Sequence, residues 1–147
     1  MLLDITTKNQ FTAPFMFAPQ TVTNHTDATT DALDVAGVRG AEVLTIIGAM
    51  AGNDGSNTLV PTLQESDTLV GTDFTNVAAA DIVGGAVATA VAANTVNKQG
   101  YLGKKRYIRV KLDFTGTGIS SVVVGVIGHV QFATLMPGTD PSPLMTT

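Results

Sequence analysis

The sequence contains no cysteine and no tryptophan, and charged residues are scarce. Without cysteine there is no disulfide bond, no thiolate metal site and no cysteine nucleophile, and a small secreted domain held together by disulfides is excluded. Charged side chains make up 14% of the chain, whereas about a quarter is usual in soluble domains. So little charge is typical of a protein that is largely covered by copies of itself or by partner proteins.

Long apolar runs are also missing. The longest, ISSVVVGVIGHV at 119–130, is far shorter than the roughly 20 residues that a membrane-spanning helix needs. The first residues, MLLDITTKNQF, have neither a basic start nor a continuous apolar stretch, so no signal peptide is expected. We therefore expect a soluble protein made in the cytoplasm, with no membrane among its partners.

Small and β-branched residues are abundant instead. Thr, Val and Ile together number 46 of the 147 residues, and there are 15 Gly and 6 Pro. Such residues favour pleated strands and turns. The composition predicts an all-β, single-domain β-sandwich or jelly-roll-like barrel of roughly eight short strands, with extended N- and C-terminal arms. We place the arms at 1–20 and 135–147 and the sandwich domain at 21–134.

Turn signals and alternating patterns predict two hairpins. An Asn-Asp-Gly turn at 52–57 separates two apolar strands, which predicts a hairpin over 41–66. Pro61 cannot donate to a strand ladder, so its strand is expected at an edge or a bulge. The second hairpin is predicted over 104–133, where the alternating KRYIRVKLDF and a long Val-rich strand flank a TGTG turn. The stretch 73–96 is predicted to form a strand, a bulge and a strand.

Three phenylalanines, Phe11, Phe15 and Phe17, lie close together in the predicted N-terminal arm. Pro14 and Pro19 disfavour a helix in this stretch. Because it is costly to leave three Phe side chains in water, we expect the arm to dock, either on the body of its own domain or on a neighbouring subunit.

Six of the eight basic residues lie in one segment, KQGYLGKKRYIRVKLDF at 98–114. Strand alternation puts Tyr107, Arg109 and Lys111 on a polar face, whereas Arg106 falls with the apolar residues. We therefore expect Arg106 either to find a carboxylate or carbonyl partner or to lie at the exposed end of the strand. The cluster has three open interpretations: a strip that contacts protein, a solvated sheet face, and a nucleic-acid groove, which the net charge of −4 disfavours.

Motifs for catalysis or metal binding do not stand out. The sequence has no Gly-x-Ser-x-Gly and no phosphate-binding loop. The close acid pairs, Asp31 with Asp34 and Glu65 with Asp67, are expected to be solvated loop acids. His129 lies in an apolar strand, where we expect a hydrogen-bonded core or interface residue. We expect no enzyme activity, no cofactor and no metal site.

The segment GYLGKKRYIRVKLDFTGTGISSVVVGVIGHV, at 100–130, resembles a pattern of small tailed-bacteriophage and prophage proteins. These have a Tyr-x-Gly-x-Lys-Arg-Tyr-x-Arg strand, a Thr/Gly turn and a long Val/Ala-rich strand. The upstream LVPTLQESDTLVGTDFTNV, at 59–77, is similar to them too, so that the resemblance spans about half of the chain.

This resemblance implies a capsid decoration, or cement, protein: a non-catalytic virion component on the capsid surface that binds the major capsid protein. It also implies a homotrimer at local three-fold positions, and a head–tail junction or tail component is the alternative. The interface residues expected on this basis are Phe11, Phe15, Phe17, Arg106, Tyr107, Arg109 and Lys111. Arg109 is expected to meet acidic groups on the shell, and Arg106 to support folding or oligomerisation.

Overall fold

A computed structural model describes residues 11–12, 15–23, 26–84 and 90–132. This part of the chain contains strands, two short 3₁₀ turns and no α-helix, which confirms the predicted all-β fold. In chain order the strands are β1 (Phe11–Thr12), β2 (Phe15–Thr23), β3 (Ala28–Thr29), β4 (Leu33–Asp34), β5 (Val38–Ala51), β6 (Thr58–Ser66), β7 (Thr75–Asn76), β8 (Ile82–Val83), β9 (Thr95–Tyr101), β10 (Tyr107–Thr115) and β11 (Ser121–Phe132).

The strands form two antiparallel sheets that pack face to face. In the first sheet the order is β1 and β2 along one edge of β11, followed by β5, β9 and β8. In the second sheet β3 and β4 share one edge of β10, which is followed by β6 and β7. The core lies between the sheets and is built mainly from Val, Leu and Ile.

Strand alternation places the core as the sequence predicts. Ile108, Val110 and Leu112 of β10 are fully buried, and the residues between them are half-buried. On β11, Val122, Val124 and Val126 are likewise fully buried. Each strand therefore buries one face against the opposite sheet, where a buried Val or Leu side chain contributes about 1.5–3 kcal/mol to stability.

Both predicted hairpins are wrong in their pairing, although their strands are where the sequence places them. β5 pairs with β11 in the first sheet, and β6 pairs with β10 along its full length in the second. The connections 52–57 and 116–120 therefore each cross from one sheet to the other. A period of two residues determines which face of a strand is buried, but it does not identify the strand's partner.

The two crossing connections, which we call the arches, lie against each other at one end of the sandwich. Asn57 stands between them: its Oδ1 accepts a hydrogen bond from the Gly118 N–H at 2.6 Å, and its Nδ2 donates to Asp54 at 2.9 Å. Gly52 adopts a φ of +85°, and a Cβ at that position would lie 1.8 Å from the Gly118 carbonyl oxygen. Only glycine fits this contact.

The predicted N-terminal arm requires a correction at 15–20. These residues belong to β2, which pairs with β11 over the range 121–127, and Met16 is 3% exposed within the core. This stretch thus docks on its own domain. Residues 1–10 and the predicted tail at 135–147 lie outside the described residues.

The expectations for Pro61 and for 73–96 are met in part. Along the described chain, β6 meets a strand on its second edge only at Gln64 and Glu65, so Pro61 has no strand partner on that edge, as predicted. The edge is nevertheless covered: Pro61 is buried, and the Val91 and Val77 N–H groups donate to carbonyls of β6 on either side of it. The stretch 73–96 holds the short strands β7 and β8 and a 3₁₀ turn at Ala79–Asp81, while 85–89 lie outside the described residues.

The arches provide a test of the fold. We expect Asn57→Ala to lower the free energy of unfolding by about 1–2 kcal/mol, because the Gly118 N–H loses its acceptor. Asn53→Ala is the matched control, since Asn53 makes one long hydrogen bond of 3.4 Å from the same arch, and we expect a change within about 0.5 kcal/mol. Urea denaturation measures both, and equal losses would contradict the role assigned to Asn57.

Candidate interaction surfaces

The basic cluster at 98–114 is largely neutralised by the protein's own acidic residues. Lys98 pairs with Glu42 at 2.8 Å, Lys105 with Asp67 at 2.5 Å, Arg106 with Asp34 at 2.9 Å, and Lys111 with Asp113 at 2.7 Å and Asp27 at 3.3 Å. Most of the positive charge in this segment thus joins strands and loops of one chain.

Arg106 and Arg109 lie in different environments. Arg106 precedes β10 and its side chain is 56% exposed; its guanidinium lies 5.0 Å from the centre of the Tyr107 ring and bonds Asp34. Both expectations for Arg106 are met: it has a carboxylate partner, and it lies at the exposed end of the strand. Because the pair is open to solvent, it contributes little to stability.

Arg109 lies on the outward, polar face of β10, as the sequence predicts, but other parts of the chain partly cover it. Its guanidinium carbon lies 4.0 Å from the centre of the Phe74 ring, and it donates to Gln64 at 3.0 Å and to the Gly71 carbonyl at 3.1 Å. Partial burial lowers the pKa of Arg109. The loop 67–74 folds over the strand and encloses the side chain. The sequence signal that could have indicated this is Phe74, an aromatic residue in an otherwise polar segment.

These environments predict unequal losses of stability for two alanine substitutions. We expect Arg109→Ala to lower the free energy of unfolding by about 1–3 kcal/mol, because it removes the Phe74 contact and the part-buried hydrogen bond to Gln64. Arg106→Ala, its control, should cost less than about 1 kcal/mol. Thermal and urea melts of both variants measure this. A larger loss for Arg106→Ala would contradict the assignment.

Exposed carboxylates tie the loops around β10 and make stability depend on pH. The pKa of Asp34 is lowered chiefly by its hydrogen bond from Arg106, and that of Asp67 chiefly by its bond from Lys105. The pKa of Asp27 is lowered chiefly by the Phe114 N–H, which donates to it at 2.9 Å. Each carboxylate is therefore protonated at a lower pH in the folded chain than in the unfolded one.

The sign of these shifts predicts acid destabilisation. Lowered pKa values contribute stability above the unfolded value of 3.8, and this contribution disappears as the pH falls through the folded values. We expect melting temperatures that are nearly level from pH 7 to about pH 5 and fall towards pH 3. Asp27→Asn should melt lower at pH 7 and lose part of this slope. A wild-type melting temperature that does not change between pH 5 and pH 3 would refute the prediction.

The outer face of the first sheet is apolar. Three of the strands carry outward-facing aliphatic residues that lie side by side: Ile127 faces Leu44 across β11 and β5, and Ile46 faces Val96 across β5 and β9. This surface, which we call the apolar face, comprises Phe15, Leu44, Ile46, Val96, Val123 and Ile127. Val96 is 59% and Phe15 60% exposed. The polar row of Lys98, Glu42 and His129 borders the face on one side.

A bulge in β2 sends the arm phenylalanines in different directions. Phe15 lies opposite Ile127 and Phe17 opposite Val126, so that Met16 is an extra residue between them. In a regular strand Phe15 and Phe17 would share one face. The bulge turns Phe15 outward onto the apolar face and lets Phe17 pack against the core. For Phe11 the structure describes the backbone, which pairs with Gln131.

The outer face of the second sheet is polar and partly covered. Tyr107, Arg109 and Lys111 point outward, as the sequence predicts, and all three are half-buried. Their neighbours on β6 are Ser66, Gln64 and Thr62, and the loop 67–74 lies above Arg109. The two faces of the sandwich therefore differ in kind: one is polar and largely occupied by the chain itself, and the other is apolar and open.

Tyr101 closes the end of the sandwich opposite the arches. From β9 in the first sheet its hydroxyl donates to Glu65 on β6 in the second sheet at 2.6 Å, and it accepts the Lys105 N–H at 2.9 Å. Burial, followed by the bond to Glu65, raises the pKa of Tyr101. A Cβ on Gly103 would lie 2.4 Å from the ring, so this position requires glycine. Glu65 is thus not the solvated loop acid that the sequence predicts.

The structure also places the remaining residues that the sequence singles out. Across the described ranges, no group of three His, Asp or Glu side chains is placed to hold a metal ion. His129 lies on the outer face of the first sheet with its Nδ1 3.9 Å from Glu42, rather than in the core. No helix within the described chain is long and apolar enough to cross a membrane.

Neither a model of a known protein family nor a curated protein matches this chain.

Proposed function

We propose that this protein is a structural virion component, a decoration or cement protein that binds and stabilises a phage capsid shell and has no catalytic activity. The resemblance of 100–130 to phage head proteins supports this proposal, and the apolar face is the observation that carries it. A protein that exposes such a face on a rigid sandwich is suited to packing against other protein subunits.

The apolar face is suited to contact between copies of this chain. A sheet face open to water usually carries polar residues, whereas this one presents Phe15, Ile46, Val96 and Val123 with exposures of 38–60%. Contiguous exposed apolar patches mark interaction sites. Permanent interfaces between identical subunits are more hydrophobic than transient ones. We therefore assign this face to the homotrimer, and the shell contact, with the major capsid protein, to more polar parts of the surface.

The oligomeric state tests the role of the apolar face. We expect the wild type to be a trimer at micromolar concentration in analytical ultracentrifugation. Val96→Lys should dissociate it, because a lysine buried in the interface would lose its hydration. Val70→Lys is the matched control: Val70 is 56% exposed, against 59% for Val96, but it lies in the loop 67–74, and its variant should remain a trimer. A monomeric wild type would overturn this assignment.

Binding to shells tests the function itself. We expect the wild type to co-sediment with shells assembled from the major capsid protein of the same virus and to raise their melting temperature. Electron microscopy of the virion would then show copies spread over the shell. Copies confined to one vertex would instead identify a head–tail junction or tail component, and absence from the virion would overturn the proposal.

A further inference from the structure

A groove of about 400 Å³ lies at the end of the sandwich opposite the arches. β5 and β10 begin at this end, and β6 and β9 terminate there. The residues at 35–41, Asp67 and the connection 101–106 line it. Its volume falls within the range of ordinary ligand sites. The groove thus lies where strands of both sheets begin or end, away from the apolar face.

Positive charge predominates along the groove. Four cations line it, Arg39, Lys104, Lys105 and Arg106, and two of these are paired, Lys105 with Asp67 and Arg106 with Asp34. The other two, Arg39 and Lys104, have no carboxylate partner among the described residues. In a chain whose net charge is −4, two such cations in one groove form a local site for an anionic group.

The walls of the groove are held in place before any ligand arrives. The connection 102–106 is fixed by the Lys105 N–H bond to Tyr101 at 2.9 Å and by the Leu102 N–H bond to the Asp81 carbonyl at 2.8 Å. The facing segment is tied to it by the Val35 N–H, which donates to the Arg106 carbonyl at 2.8 Å. Because these loops are already ordered, a ligand does not have to order them on binding.

The floor of the groove is apolar. Val35, Ala41 and Tyr101 line it and are 6–8% exposed. Leu102 stands at the rim with 62% of its surface exposed. A ligand that fits both features has an apolar side chain for the floor and carboxylates for Arg39 and Lys104.

We propose that this groove binds an acidic protein segment in which apolar side chains alternate with carboxylates. Single-stranded nucleic acid would need aromatic rings open for stacking. Neither tyrosine offers one, because the Tyr101 ring is buried beneath Gly103 and Tyr107 lies beneath Arg106. We identify the capsid shell as the source of this segment, and this identification rests on the proposed function. The binding chemistry of the groove does not depend on it.

The test uses the full-length protein and a short fluorescein-labelled peptide of alternating glutamate and leucine, measured by fluorescence anisotropy. We expect saturable binding that weakens with salt, and at least tenfold weaker binding of the same peptide with glutamine in place of glutamate. Arg39→Gln combined with Lys104→Gln should weaken binding about tenfold, and Lys104→Gln alone about two- to fivefold. Because both side chains are exposed and unpaired, melting temperatures should not change.

Lys98→Gln is the charge-matched control for Lys104→Gln. Lys98 pairs with Glu42 on the outer face of the first sheet, away from the groove, and its loss should change peptide binding less than twofold. Equal losses for the two variants would show attraction by overall charge and overturn the proposal. So would an absence of binding at low salt, or tighter binding of a labelled single-stranded oligonucleotide than of the peptide.

Shell binding separates this inference from the proposed function. If the wild type binds shells and the Arg39, Lys104 double variant binds them equally well, the groove proposal fails and the decoration function stands. If the peptide binds in the groove but the wild type does not bind shells, the decoration function fails and the groove stands as a site for an acidic segment of another protein.

Discussion

The hydrogen bond from the Gly118 N–H to the side chain of Asn57 joins two arches that are 61 residues apart in sequence. Both connections cross between the sheets at this end. As a result β5 lies beside β11 and β6 lies beside β10, and each pair forms the centre of its own sheet. The starts of β5 and β10 then fall together at the opposite end. The position of the groove is therefore a consequence of how the arches meet.

The two sheets use their outer faces differently, and the pattern of charge follows from this. In the second sheet, outward-facing Arg109 and Lys111 are engaged by Phe74, Asp27 and Asp113, so that the chain itself covers this face. In the first sheet, Lys98 and Glu42 neutralise each other at the margin of the apolar face. Charge on the sheets is thus largely cancelled within the chain. Arg39 and Lys104, which have no carboxylate partner among the described residues, line the groove at the end opposite the arches.

The sequence allows the strands to be predicted well and their partners poorly. Alternation identified the buried residues of β10, such as Ile108 and Val110, because burial on one face of a strand is a local property. Pairing depends on contacts between distant residues, and an Asn-Asp-Gly turn is compatible with a hairpin or with an arch. For the same reason the sequence does not predict the partial burial of Arg109: the position of Phe74 above the strand is determined by the tertiary fold, as is the bulge at Met16 that separates Phe15 from Phe17.

The two proposed surfaces do not compete for the same part of the molecule. The apolar face covers the outside of one sheet, whereas the groove opens at the end of the sandwich, where Tyr101 bonds Glu65 and joins the two sheets. A subunit can therefore contact its own copies through the face and an acidic segment through the groove at the same time. Because Tyr101 closes the core and also forms the floor of the groove, with Gly103 against its ring, the fold of this end and the shape of the site depend on the same residues. Several copies held together through their apolar faces would present several such grooves, and binding a repeated surface at several points raises the overall affinity well above that of one groove.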